Sequence, residues 1–345
     1  MQKETVAFGE IMMRLSTTGA SRFSQSDSFS ICYGGAEANV AVSLANFGNK
    51  ASFVTRLPEN ELSDAIIRTL RSHNVNTHKI VYGGSRLGLY FVENGAGYRS
   101  SKVVYDRAHS AMAEIQPGMI DWAKVFKDTG YFFWTGITPA LSDSAAKVCK
   151  EAILAAKDAG VTVIADLNYR DKLWKDPQYA SSVMSALIQD SDIVVGGIDT
   201  LSKLFDINPS GGIDREEPLT NDELKSLCQQ LIDKFPKIKS VALTLRWVID
   251  SNHHRSSGVY YTDNKIYAAK KYNITHIIDR IGGGDAFVAG LIHGLQHYEN
   301  DPQTMLEFAV AAGYLKHTFH GDFNLATLEE VEALMKGEAK GKISR

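Results

Sequence analysis

The chain has 345 residues, 44% of them hydrophobic and 22% charged, and its 37 basic and 40 acidic side chains leave a formal charge of −3. That balance argues against a nucleic-acid or membrane-surface binder, which needs a basic face, and the length buries enough core to fold without disulfides or a structural metal. Cys32, Cys149 and Cys228 lie far apart without a C-x-x-C pair, which fits a reducing compartment. Acids near the amino terminus interrupt any apolar leader, and no apolar run approaches the roughly 20 residues that span a bilayer. A cytoplasmic protein with no nucleic-acid or membrane partner is expected.

In chain order, 6–8 reads as a strand, and 11–33 is rich in Ser and Thr. Helical spacing over 36–47 follows the glycines Gly34 and Gly35, then a strand at 51–55 and a helix at 61–72. Two alternating runs, 87–92 and 98–105, flank the turn signal Glu93-Asn-Gly-Ala-Gly97 and are expected to pair antiparallel in a small separate sheet. Strands at 131–134, 161–165, 192–195 and 241–245 then alternate with helical spacing at 142–159 and 221–235. Several of these strands are almost continuously apolar, as parallel strands covered on both faces are. The alternation predicts an α/β fold with a parallel sheet and helices on both sides.

The most informative stretch is Asp279-Arg-Ile-Gly-Gly-Gly-Asp-Ala-Phe287, with a helix expected over 286–298. Glycines at a helix entrance turn backbone N–H groups toward an anion, and a carboxylate among them can take a proton from a hydroxyl. The plainer reading of Asp285 is a helix cap after a flexible loop. No Gly-Lys-Ser/Thr loop is present, the segment after the first strand lacks a dinucleotide fingerprint, and neither H-E-x-x-H nor G-x-S-x-G occurs. His317-Thr-Phe-His320 is expected at a helix end and His253-His254 in an exposed turn. Gly34-Gly-Ala-Glu-Ala-Asn39 is a second glycine-opened helix. Asp166-Leu-Asn-Tyr-Arg170 lies at the carboxyl end of a strand, where ligands of open α/β sheets bind.

Gly34-Gly-x-x-x-Asn39 and Asp279-x-x-Gly-Gly-Gly-Asp285 together resemble the two signatures of the ribokinase-like carbohydrate kinases, over residues from 6 to about 334. The resemblance implies a doubly wound, mainly parallel core (1–10, 34–79 and 107–335), a small β-sheet lid (11–33 and 80–106) and a frayed tail (336–345). It makes Asp285 the general base, with Gly282, Gly283 and Gly284 forming the anion hole, and gives Gly34, Gly35 and Asn39 to the sugar hydroxyls.

Within the family the chain looks most like the 2-keto-3-deoxygluconate kinases. The residues that carry this are Tyr90, Tyr105-Asp-Arg107 with Ala108 and Ser110, Asp166-Leu-Asn-Tyr-Arg170 and Lys316-His-Thr-Phe-His-Gly-Asp322. By that likeness Arg107 and Arg170 pair with the substrate carboxylate, Tyr90 and Tyr105 pack on its carbon chain, and Asp322 is a further contact. A salt bridge at the lid base is the alternative for Arg107. Asn168, Thr244 and Arg246 fall to the nucleotide, with adenine between that region and a helix at 305–318.

The family's Asn-x-x-Glu motif is missing. Gly196-Gly-Ile-Asp199 stands nearest, so no metal ligands are assigned. The implied activity is ATP- and magnesium-dependent phosphorylation of the terminal primary hydroxyl of 2-keto-3-deoxygluconate, with a monovalent cation as a further candidate ion. The alternatives are a kinase for fructose or a nucleoside, and a silent sugar-binding homologue. Lid pairing in a homodimer or higher homo-oligomer is also expected.

Overall fold

The computed structural model describes residues 3–212 and 218–338. Its large sheet has nine strands, of which Ser240–Asp250, Ile193–Gly196, Thr162–Asp166, Thr129–Thr135, Glu4–Phe8 and Ala51–Val54 run parallel in that spatial order. The continuous apolar runs split between two cores by their period of two. Val6 and Phe8 face one side and Ala7 the other; Phe132 and Trp134 oppose Phe133; Val163 and Ala165 oppose Ile164. Asp143–Asp158, Pro177–Ile188 and Asn221–Lys234 cover the first face, while Ala36–Asn46, Glu61–Ser72, Gly283–His297 and Pro302–Lys316 cover the second. The fold is thus doubly wound and mainly parallel, as expected.

Several boundaries move for local reasons. The strand expected at 241–245 runs on to Asp250 because His253–Thr262 pairs antiparallel along its whole length, with Lys265–Ala268 and Tyr272–Thr275 beyond. That pairing corrects the expectation for His253-His254: they open a strand, and His254 is buried. The helix expected from 286 begins at Gly283, so Asp285 lies within its first turn. Asp301 caps Pro302–Lys316 by accepting the Thr304 N–H at 3.0 Å, which starts that helix before 305 and leaves His317 at its end.

The small sheet orders Ser30–Gly34, Met12–Ser16, Leu89–Glu93 and Lys102–Asp106. Met12–Ser16 lies parallel to Leu89–Glu93, and the outer strands pair antiparallel. The run expected from 98 becomes strand only at Lys102, because Ala96 and Arg99 exchange N–H···O=C bonds of 3.0 and 2.9 Å across the turn. Of the tail, Lys336 caps the Leu328–Met335 helix, and 339–345 lie outside the described residues.

Candidate active site

Residues at the carboxyl ends of the parallel strands line a cavity of about 970 Å³, whose other wall is Met12, Tyr90, Val103 and Tyr105 of the small sheet. Gly282 enters the Gly283–His297 helix at φ +88°, and a Cβ there would stand 2.2 Å from the Asp322 carbonyl oxygen. With no capping side chain, the N–H groups of Gly283, Gly284 and Asp285 have no acceptor within the helix. They are available to an anion in the cavity these residues line.

Asp285 is buried behind that entrance. Asn39 donates Nδ2–H to its Oδ2 at 2.7 Å, while Asn39 Oδ1 accepts the Gly35 N–H at 3.3 Å. One amide therefore joins the Ala36–Asn46 and Gly283–His297 helices. Burial pushes the Asp285 carboxyl up to about 6; the Asn39 bond and the charges of Arg170 and Lys316 pull against it, and Asp322 pushes with it. Asp166 is likewise pushed up to about 7, first by burial and then by Asp285, against the N–H of Asn168 that meets its Oδ1 at 3.0 Å. This Asx turn holds Asn168 at φ +33°, a backbone region few side chains adopt.

The structure brings Gly35, Asn39, Tyr90, Tyr105, Arg107, Asn168, Arg170, Thr244, Arg246, Gly282, Gly283, Gly284, Asp285 and Asp322 onto the walls of this one cavity. Gly34 is the exception: it stands behind the wall, and a Cβ there would meet the Asp322 carboxylate at 2.2 Å. Several of these residues are already engaged. Asn39, expected on a sugar hydroxyl, holds Asp285. Asp322 accepts from Arg14 Nη1 at 2.8 Å and from the Tyr90 hydroxyl at 2.5 Å. Arg107 meets Glu10 Oε2 through Nε at 2.8 Å and Nη2 at 2.5 Å, with the Ser110 hydroxyl on the other Glu10 oxygen and the Tyr105 ring beneath the guanidinium. The salt bridge weighed for Arg107 is therefore present.

Arg170 and Arg246 form no ion pair among the described residues. Arg246 is held below its usual range by burial and then by Arg170 and Arg280, with Asp199 opposing. A positive field of this kind favours phosphate or carboxylate groups.

Sequence reading missed Glu10, Arg14 and Glu37. Glu37 faces the cavity from the Ala36–Asn46 helix, and its Oε1 accepts the hydroxyls of Thr135 and Thr138 at 2.7 and 2.8 Å. Burial pushes Glu37 up to about 7, against those two bonds and with help from Asp285. An acid in the first turn of a helix reads in sequence as a dipole partner, which hides its inward orientation. Arg14 shares a strand face with Met12, where an apolar residue would be expected.

An uncapped helix entrance beside a buried carboxyl group suits phosphoryl transfer to a hydroxyl. Residues 2–326 match the pfkB family carbohydrate kinases, and the chain belongs to that family. It is a ribokinase-like, ATP-dependent carbohydrate kinase. It is 31% identical over 342 residues to the 2-dehydro-3-deoxygalactonokinase of Haloferax volcanii, covering 99% of each chain. A 5-dehydro-2-deoxygluconokinase of Clostridium botulinum is 27% identical, over 96% of this chain and 93% of that one. The crystal structure of 2-dehydro-3-deoxygluconokinase from Thermotoga maritima superposes with a TM-score of 0.91 at 39% identity, over 98% of this chain and 99% of that one.

Proposed function

We propose that the enzyme phosphorylates the terminal primary hydroxyl of a 2-keto-3-deoxy sugar acid, 2-keto-3-deoxygluconate (2-dehydro-3-deoxygluconate) or its galactonate epimer. The observation that carries this reading is Asp285, buried beside uncapped amides in a cavity that also holds Arg107 and Arg170. The two similar kinases named for those acids support it. Asp285 takes the hydroxyl proton as the oxygen attacks, and Asn39 keeps its carboxylate aimed. The amides of Gly283, Gly284 and Asp285 offset charge on the phosphoryl group, with Arg246 alongside. Tyr90 and Tyr105 lie along the carbon chain, and Asp322 fixes Tyr90 by accepting its hydroxyl.

The described residues contain no ready cluster of three metal-ligating side chains. Magnesium that arrives with ATP needs only one or two carboxylates, a demand that Asp166 and Asp199 on the cavity wall can meet. When bound it neutralises phosphate charge. In this reading the small sheet acts as a lid that excludes water. Its outer face exposes Ile31 (59%) and Val104 (52%), which suits pairing with a second copy.

The Glu10–Arg107 pair favours a second reading, a neutral sugar such as fructose, because it neutralises one of the two cations assigned to the acid. A coupled ADP-release assay with magnesium decides between them. It compares both keto acids, fructose and a nucleoside. The acids are expected to exceed fructose at least ~10-fold in kcat/KM, about what an added charged hydrogen bond supplies. Preference for fructose would replace the proposal with its rival.

A further inference from the structure

Arg14 lies on the Met12–Ser16 strand of the small sheet, behind the cavity wall, and is 1% exposed. Each guanidinium nitrogen has its own partner: Nε donates to Ser16 Oγ at 2.7 Å, Nη1 to Asp322 Oδ1 at 2.8 Å and Nη2 to Asp279 Oδ2 at 2.7 Å. Both aspartates in turn hold backbone. Asp279 accepts the Ile281 N–H on Oδ1 at 3.1 Å and the Gly321 N–H on Oδ2 at 3.2 Å. The carbonyl oxygen of Asp322 is the atom against which Gly282 packs. Lys316, also fully buried, adds a second cation within electrostatic reach of Asp279 and Asp322.

A buried cluster of two cations and two anions loses so much hydration that it is a weak source of stability. Its geometry does something more specific. It fixes three segments relative to one another: a strand of the small sheet, the 279–282 run that enters the phosphoryl-binding helix, and the 321–322 loop.

We infer that Arg14 is a positioning residue for phosphoryl transfer, holding the 282–285 loop in register with the small sheet through Asp279 and Asp322. The inference rests on reading that loop and Asp285 as the transfer site. A lysine keeps the charge but gathers its three donors on one nitrogen, so it does not reproduce the guanidinium's spread over both carboxylates and Ser16. A misplacement of about 1 Å at such a loop costs up to ~100-fold in rate.

The test compares the full-length enzyme with Arg14→Lys, Asp279→Asn, their double variant and Asp285→Asn. It uses steady-state kinetics with ATP and the preferred sugar, together with amide hydrogen exchange. Arg14→Lys is expected to lower kcat roughly 10- to 100-fold while both KM values stay within about threefold. The double variant should be no slower than the worse single one, and the hydrogen-bonded amides of Ile281, Ala286 and Gly321 should exchange faster in all three. A loss confined to KM, additive losses in the double variant, or unchanged exchange at Ile281, Ala286 and Gly321 would each overturn the inference. Should Arg14→Lys fail to fold, Asp279→Asn alone carries the kcat and exchange comparison. Asp285→Asn reports on the reading beneath: full turnover there removes Asp285 as the base, while the Arg14 inference is still judged by loop exchange.

Discussion

Among the described residues three helices open on consecutive glycines, and two of them, Ala36–Asn46 and Gly283–His297, use their entrances in opposite ways. At the Ala36–Asn46 helix, Gly35 gives its N–H to the side chain of Asn39, and a Cβ at Gly35 would stand 2.0 Å from the Glu10 carbonyl oxygen. Glycine there permits two backbones to touch, and the helix points Glu37 and Asn39 inward. At the Gly283–His297 helix the first-turn amides are uncapped, and a Cβ at Gly284 would meet nothing within 4 Å. A glycine-opened helix therefore marks an anion site only where its donors are left free and the space before them is open. In the proposed reaction the first entrance shapes the base and the second receives the group transferred.

The largest expected effect lies at the meeting point of the two. Asp285→Asn should lower kcat at least ~100-fold with KM for ATP little changed, since it removes a general base and keeps its shape. Single-turnover kinetics checks this, and near-normal turnover would leave both entrances as binding elements only. Alanine at each entrance separates them next. Gly35→Ala forces a Cβ against a backbone oxygen that cannot rotate away, with an expected loss of roughly 1–3 kcal/mol in a denaturant melt. Gly284→Ala should keep or slightly raise stability, because alanine suits a helix better by about 0.5–1 kcal/mol. Its methyl enters the open space, and KM for ATP should rise roughly tenfold. A destabilised Gly284→Ala beside an unperturbed Gly35→Ala would reverse the comparison.

The contrast also explains what was legible in the sequence. The core was readable because apolar runs such as Tyr131-Phe-Phe-Trp134 have one physical outlet, a strand buried on both faces. The Gly-Gly-Gly-Asp stretch was readable because three glycines before an acid at a helix start put backbone donors beside a carboxylate. The antiparallel half of the large sheet was not, since residues 253–262 mix His, Arg and Ser with Val and Tyr and are ordered by their pairing with Ser240–Asp250. Charge partners were the least readable feature. The bonds from Arg14 to Asp322 and from Arg107 to Glu10 join residues 308 and 97 positions apart, and nothing local in a sequence states such a pairing. That is also why a salt bridge could be weighed for Arg107 without Glu10 being named as its partner.

The bridge between the entrances predicts a pH effect. As a base, Asp285 must be deprotonated, so kcat/KM should fall as pH drops through about 6. The Asn39 bond favours the charged carboxylate, so Asn39→Ala should move this acid limb upward by on the order of one unit. The pH–rate profile of the variant tests the bridge directly. A limb that stayed in place would mean that Asn39 does not govern Asp285 in the working enzyme.

The smallest effect belongs to Glu37, on the entrance that shapes the base, and it is a matter of stability. Its carboxyl rises from 4.5 in the unfolded chain to about 7 in the fold, mainly through burial. The folded state then binds the proton more tightly, so the group's stabilising contribution is complete below 4.5 and is lost as pH rises through about 7. Glu37→Gln keeps an oxygen for Thr135 and Thr138 without the charge that burial disfavours. Its melting temperature should exceed that of the parent by a few degrees above about pH 7, and the difference should shrink steadily toward pH 4.5. The opposite slope, a variant that loses stability as pH rises, would show that the charged form is favoured by the fold. Glu37 would then belong with the charges the cavity is built to hold, and the first entrance would be as much an ionic site as the second.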